Sequence, residues 1–181
     1  LYLQYMSSST STSDGGDEEV YYIYKGLVKE KIPSNITHVS IDPSVKIIHR
    51  MAFRSCLKLC KVVFPADSIL EKVDAFAFNE CKSLQSISLP NSVKEIHIQA
   101  FFCENLSEVV LPEGLQFIGA SAFSCTALTS VVIPSTVDTI SDSAFQRCDK
   151  LVEVDIKEGV RRMGEMCFKD CSSLKHINIP S

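Results

Sequence analysis

The sequence predicts a repeat solenoid, and two regularities carry that reading. Six phenylalanines, Phe53, Phe78, Phe101, Phe123, Phe145 and Phe168, follow one another at steps of 25, 23, 22, 22 and 23 residues, each trailed by a cysteine two or three positions on and then a leucine. Pairs of apolar residues recur at the same period: Val39/Ile41, Val62/Phe64, Ile87/Leu89, Val109/Leu111, Val131/Ile133, Val154/Ile156 and Ile177/Ile179. A period in the twenties with fixed apolar columns marks coils that bury their hydrophobic face only when the next coil stacks on them. Such a stack is one continuous core, so the 181 residues are read as one domain.

The elements follow in chain order. Residues 7 to 19, SSSTSTSDGGDEE, offer no apolar side chain to offset ordering entropy, so residues 1–19 are expected to be disordered. VYYIYKG then reads as a short strand ending at Gly26, and residues 20–35 as an N-terminal cap. Residues 36–181 form the solenoid, about six repeats of 22–25 residues with the last truncated. Ile177, Ile179 and Pro180 begin a coil that stops at Ser181. An uncapped edge would expose strand groups and apolar columns, so the natural chain is expected to continue or this end to pair.

One coil shows the logic. Val131 and Ile133 alternate with Ser130 and Val132, the period of a strand buried on one side. Pro134 ends it, because proline brings no amide hydrogen to the ladder. Val137 and Ile140 turn inward, Ala144 and Phe145 are placed in a short helical turn, and Cys148 leads back to Leu151. Seven rungs at ~4.8 Å make a parallel sheet roughly 30 Å long. Departures are local: two extra residues between Pro65 and Leu70, turns one residue short after Phe101 and Phe123, Lys157 for proline, and Cys167 for alanine.

The run Ala-Phe-x-x-Cys-x-x-Leu-x-x-Val-x-Ile-Pro resembles the leucine-rich repeats of BspA type, over about residues 36 to 181. The resemblance implies a right-handed leucine-rich-repeat coil with a parallel β-sheet on one face and short helical turns on the other. It also implies binding of other macromolecules, in surface adhesins among others. Fold alone does not settle function.

Composition excludes some functions. With 18 basic against 22 acidic residues and a formal charge of -4, the chain has no basic stripe for nucleic acid. No run reaches the ~20 apolar residues of a membrane span. Of eight cysteines, Cys56, Cys81, Cys103, Cys125, Cys148 and Cys171 fall in one column, with Cys60 and Cys167 outside it. Stacked Cβ vectors run parallel, which favours free, buried thiols over disulfides between coils. Cys56-x-x-x-Cys60 and Cys167-x-x-x-Cys171 are poorly spaced for zinc.

His38 and His176 share a column six rungs apart, roughly 29 Å, too far for one site. His49, Asp74 and His97 share a column on successive coils, where the carboxylate could lie between two imidazoles; Gly119, Ser141 and Gly164 fill it further on, as in a solvated turn. No nucleophile elbow, phosphate loop or His-Glu-x-x-His motif occurs, so neither enzyme activity nor a cofactor is expected. Asn35-Ile36-Thr37 and Asn105-Leu106-Ser107 match the glycosylation pattern. Free thiols favour a reducing, cytoplasmic compartment and surface relatives an exterior one; the compartment stays open.

What the core leaves over is the outward strand face, with Lys61, Ser86, Glu108, Ser130 and Glu153 in one column and Val63, Ser88, Val110, Val132 and Asp155 in the next. Val63, Val110 and Val132 form a broken apolar stripe bordered by Glu108, Glu153 and Asp155, a dry centre with a charged rim. Valine is also simply a good strand former. The function expected is a non-enzymatic recognition module for a protein, or alternatively a glycan. The competing expectation is a structural spacer or adhesin segment of a larger protein.

Overall fold

The computed structural model describes residues 18–180. The disorder expected of residues 1–19 therefore falls outside the described residues except at Glu18 and Glu19. The described chain is a parallel β-solenoid. Its outer rungs are β1 (Tyr21–Tyr24), β2 (His38–Ile41), β4 (Lys61–Val63), β6 (Ser86–Ser88), β8 (Glu108–Val110), β10 (Ser130–Ile133), β12 (Glu153–Ile156) and β14 (His176–Asn178). Between them lie two-residue strands: β3 (Ile47–Ile48), β5 (Lys72–Val73), β7 (Glu95–Ile96), β9 (Phe117–Ile118), β11 (Thr139–Ile140) and β13 (Arg162–Met163). These six form a second, unbroken parallel sheet that the sequence does not announce, because two residues are too few to show an alternation.

The outer rungs depart from the single sheet expected. They fall into three sets, β1-β2-β4, β6-β8 and β10-β12-β14. Within each set, one carbonyl at the strand entry accepts two amides of the next coil. The Thr37 carbonyl takes Cys60 and Lys61 at 2.9 and 3.2 Å, that of Gln85 takes Ser107 and Glu108 at 2.8 and 3.1 Å, and that of Thr129 takes Val152 and Glu153 at 2.8 and 3.4 Å. Among the described residues, no such bond joins β4 to β6 or β8 to β10. The first gap follows the lengthened stretch between Pro65 and Leu70. The second follows a shortened one, because Thr126 to Leu128 spans two residues where Cys148 to Leu151 spans three. Length alone does not break the ladder, since β6 and β8 stay paired across the coil of Phe101, which is one residue short as well.

Proline acts at the strand ends as its missing amide requires. Where Lys157 and Asp42 replace it, their amides extend the ladder by one bond, to the carbonyls of Ile133 and Tyr24, both at 3.0 Å.

The helical turn expected around each phenylalanine is absent: no helix occurs among the described residues. Alternate amides of this segment donate to the next coil instead. Phe76, Phe78 and Glu80, for instance, donate to the carbonyls of Ile98, Ala100 and Phe102 at 2.8 to 2.9 Å. A helix would turn those amides back along its own axis. To aim them along the solenoid, the residues two before and two after the phenylalanine adopt left-handed backbone. Before it stand Met51, Phe76, Gln99, Ser121, Ser143 and Met166; after it stand Ser55, Glu80, Cys125, Arg147 and Asp170, all with φ between 51° and 62°. The coil of Phe101 skips the second of these, and there Cys103 follows directly.

The core is a column of rings. Phe53, Phe78, Phe101, Phe123, Phe145 and Phe168 stack successively with centroids 5.0 to 5.5 Å apart and planes within 12° of parallel. Tyr24 closes the N-terminal end, edge-on to Phe53 at 5.1 Å, and its hydroxyl accepts the His49 amide at 3.1 Å. Burial raises the Tyr24 pKa. Ala77, Ala100, Ala122 and Ala144 are fully buried beside the rings, where a larger side chain would push the next ring away.

Phe123 has a ring on each side, so Phe123→Ala is expected to cost about 3 to 5 kcal/mol, read as a fall in the urea midpoint. Arg147 is exposed at φ 57° and makes no side-chain hydrogen bond or ion pair among the described residues. Arg147→Gly should therefore stabilise the fold by up to about 1 kcal/mol by relieving left-handed strain; a destabilisation in the same urea titration would show that this turn is not strained.

Candidate functional site

The register of the outer rungs puts two columns of side chains on the outward face. Tyr21, His38 and Lys61 lie side by side, as do Ser86 with Glu108, and Ser130 with Glu153 and His176. Beside them run Ile23, Ser40 and Val63, then Ser88 with Val110, then Val132, Asp155 and Asn178. The alternating residues Val39, Ile87, Val131 and Val154 point into the core and are buried. Lys61, Ser86, Ser88, Glu108, Ser130 and Glu153 are exposed. Val63, Val110 and Val132 are 43, 51 and 52 % exposed, which for valine leaves half the side chain in water.

Asp155 differs from the other acids of this face. It accepts from Lys157 Nζ at 2.6 Å and Asn178 Nδ2 at 2.9 Å, and these bonds hold its carboxyl below the usual range. The carboxylates of Glu108 and Glu153 make no hydrogen bond or ion pair among the described residues, so their charges face solvent uncompensated.

Two features of the face were not read from the sequence. Tyr21 and Ile23 extend it by a rung, with Tyr21 stacked on His38 at 4.6 Å; the aromatic and β-branched run that marks the strand carried the signal. The gap between β8 and β10 opens a groove of about 660 Å3, lined by Glu108, Val110, Glu113, Ser130, Val132 and Pro134 among others.

The His49, Asp74, His97 column assembles only in part, with Asp74 beside His97 but His49 turned to the N-terminal segment. His49 Nε2 lies 3.1 Å from the Gly26 carbonyl, engaged with the N-terminal segment. His97 Nε2 pairs with Glu95 at 2.9 Å, and its Nδ1 stands 3.8 Å from Asp74 Oδ1. The next member, Gly119, is buried rather than solvated, and a Cβ there would meet the His97 backbone at 2.7 Å.

The cysteine column is a hydrogen-bond ladder. The thiols of Cys81, Cys103, Cys148 and Cys171 donate to the carbonyls of Phe53, Phe78, Phe123 and Phe145 of the preceding coil at 2.9 to 3.2 Å. Cys125 is not in this column: it occupies the left-handed turn position, and Thr126 takes the inward place, its hydroxyl donating to the Phe123 carbonyl at 2.9 Å. Because the residue missing from that coil lies after Thr126 and not before it, a count of spacings puts Cys125 in the column. Burial pushes the Cys56 thiol up to about 11, and the adjoining Cys103 thiol together with burial raises Cys81 as well. Cys60 is exposed. Among the described residues, no group of three or more His, Cys, Asp or Glu is placed to hold a metal ion, and no helix is long and apolar enough to cross a membrane.

Parallel coils of this period, each with a buried Phe and a strand on the outward face, define a leucine-rich-repeat solenoid. The profile of the BspA type leucine rich repeat region matches in six copies, over residues 31–152 and 111–181, and the chain belongs to that family. Its members are commonly interaction or surface proteins, and family and fold are typically non-enzymatic. The crystal structure of the T. pallidum leucine rich repeat protein is similar, with a TM-score of 0.74 and 29 % identity over 87 % of this chain and 78 % of that one. A leucine rich cell surface protein from Faecalibacterium prausnitzii A2-165 aligns at TM-score 0.48 and 18 % identity, over 81 % of this chain and 60 % of its own. No curated protein sequence matches the chain.

The thiol geometry sets an order of reactivity. Iodoacetamide should label Cys60 first and the partly exposed Cys125 and Cys171 next; Cys56, Cys81, Cys103, Cys148 and Cys167 should label only after denaturation, as mass spectrometry of the digested chain would show.

Proposed function

We propose that the chain is a non-enzymatic recognition module that binds a protein through the outward face of the β1 to β14 rungs. The observation that carries this reading is the exposure of Val110 and Val132 on either side of the groove, with the unpaired carboxylates of Glu108 and Glu153 at its margin. The core does not use these side chains. An exposed aliphatic centre with a charged rim is the layout of a contact surface, in which apolar area supplies affinity and charge supplies orientation. A protein fits better than a glycan, because no aromatic ring lines the groove to stack on a sugar face. Val63, Ser86, Ser88 and Lys61 continue the surface toward the N-terminus, and Asp155, held by Lys157, is a fixed part of its other margin.

Val110→Arg with Val132→Arg tests the reading, since both positions are exposed and arginine fits there without disturbing the core. Side-by-side affinity capture with the unaltered chain and the double variant should show a partner retained by the first and lost by the second, with unchanged circular dichroism. Equal capture by both would remove this face and favour a spacer, whose working property is the length of the ring stack.

A further inference from the structure

The groove between β8 and β10 has a composition that selects among protein partners, and the inference drawn from it deepens the recognition reading and rests on it. Its floor is aliphatic, with Val131 buried and Val109 half-buried, and its lips are Val110 and Val132. Ser107, Thr129 and Ser130 add hydroxyls. Its charged side chains are Glu108 and Glu113, and neither makes a hydrogen bond or an ion pair among the described residues. No lysine or arginine lines it. At about 660 Å3 it lies within the ~300 to 1,000 Å3 of sites that enclose a small ligand or a few side chains.

The backbone at the groove is equally specific. In the neighbouring rungs, the Gln85 and Thr129 carbonyls each accept two amides of the following coil. The equivalent Ser107 carbonyl receives none, and the Thr129 and Ser130 amides that would reach it make no backbone hydrogen bond among the described residues. Because the two rungs remain neighbours, these open groups face each other and admit no third strand between them, so a peptide is held from above by its side chains.

We propose that this groove binds an extended peptide segment in which a Lys or Arg stands two positions from an aliphatic residue, so that both side chains face the groove. The cationic heads meet Glu108 and Glu113, and their methylene stems and the aliphatic side chain two positions away cover Val110 and Val132. An acidic or phosphorylated segment is disfavoured, because its charge would face two carboxylates with no cation between them.

The probe is a fluorescein-labelled acetyl-Gly-Lys-Ser-Val-Ser-Lys-Gly-amide, with its Glu-for-Lys counterpart as control, titrated by anisotropy against the full chain at about 0.05 M and about 0.5 M salt. The expected result is binding of the lysine peptide alone, weakened at the higher salt. Glu108→Gln with Glu113→Gln should weaken it about tenfold, the loss of two exposed ion pairs, and Val132→Arg should abolish it. Equal binding of both peptides, no binding of either, or indifference to the two glutamine substitutions overturns the inference. In those cases the recognition face itself still stands if Val110→Arg with Val132→Arg abolishes partner capture, and falls with the inference if capture is unchanged.

Discussion

A single ring stack governs the rest of this molecule. Parallel phenylalanines at 5.0 to 5.5 Å fix the rise from coil to coil, and that rise sets the interval at which the rungs of both sheets pair. An aromatic pair in offset contact contributes about 0.5 to 1.5 kcal/mol beyond its burial, so the column is cohesive along its whole length. Each coil is stable only between neighbours, as the two-sided contact of Phe123 shows. The small alanines, the cysteines and the left-handed turn residues all serve to let those rings approach.

The cysteine column illustrates how one constraint recruits a residue type. Most coils place a small inward donor against the phenylalanine carbonyl of the coil before, whereas Thr126 donates to Phe123 of its own coil. Cysteine provides it in Cys81, Cys103, Cys148 and Cys171, and Thr126 stands in the same place in the coil of Phe123. What the site selects is therefore a small side chain with a hydrogen to donate, packed in an apolar wall. A threonine in the column has no use in a disulfide framework or a zinc site. The recurring cysteines are accounted for by packing and hydrogen bonding, without redox chemistry.

The features available for recognition arise where the repeat is imperfect. Rungs in full register present a flat ladder, with backbone groups satisfied by the next coil. At β8 and β10 the ladder is open on the outer side, while the short strands β9 and β11 remain paired on the other. The coil thus stays anchored while its outward strand, still beside its neighbour, lacks the ladder bonds. Open backbone groups, two exposed valines and two unpaired glutamates meet at that point. The regular columns supply rigidity, and the irregular coil supplies individuality.

The solenoid itself was legible in the sequence because its signals are local and repeated: the spacing of the phenylalanines, the Val131/Ile133 alternation and the strand-ending prolines each mark one short segment by its residue types. The outward face followed from the same alternation, since residues between buried ones must point away from the core. The turn at each phenylalanine did not follow. A run such as Met51 to Ser55 has ordinary composition, and nothing local distinguishes a helical turn from left-handed residues whose amides bond to the next coil. The six-stranded sheet of two-residue strands, the place of Thr126 in the cysteine column and the ladder breaks are likewise properties of neighbouring coils taken together. The sequence by itself determined the period, the core columns and the family. Only the tertiary structure decided which backbone groups find partners in the next coil, because that depends on register between segments some 22 to 25 residues apart and not on the residues within either one.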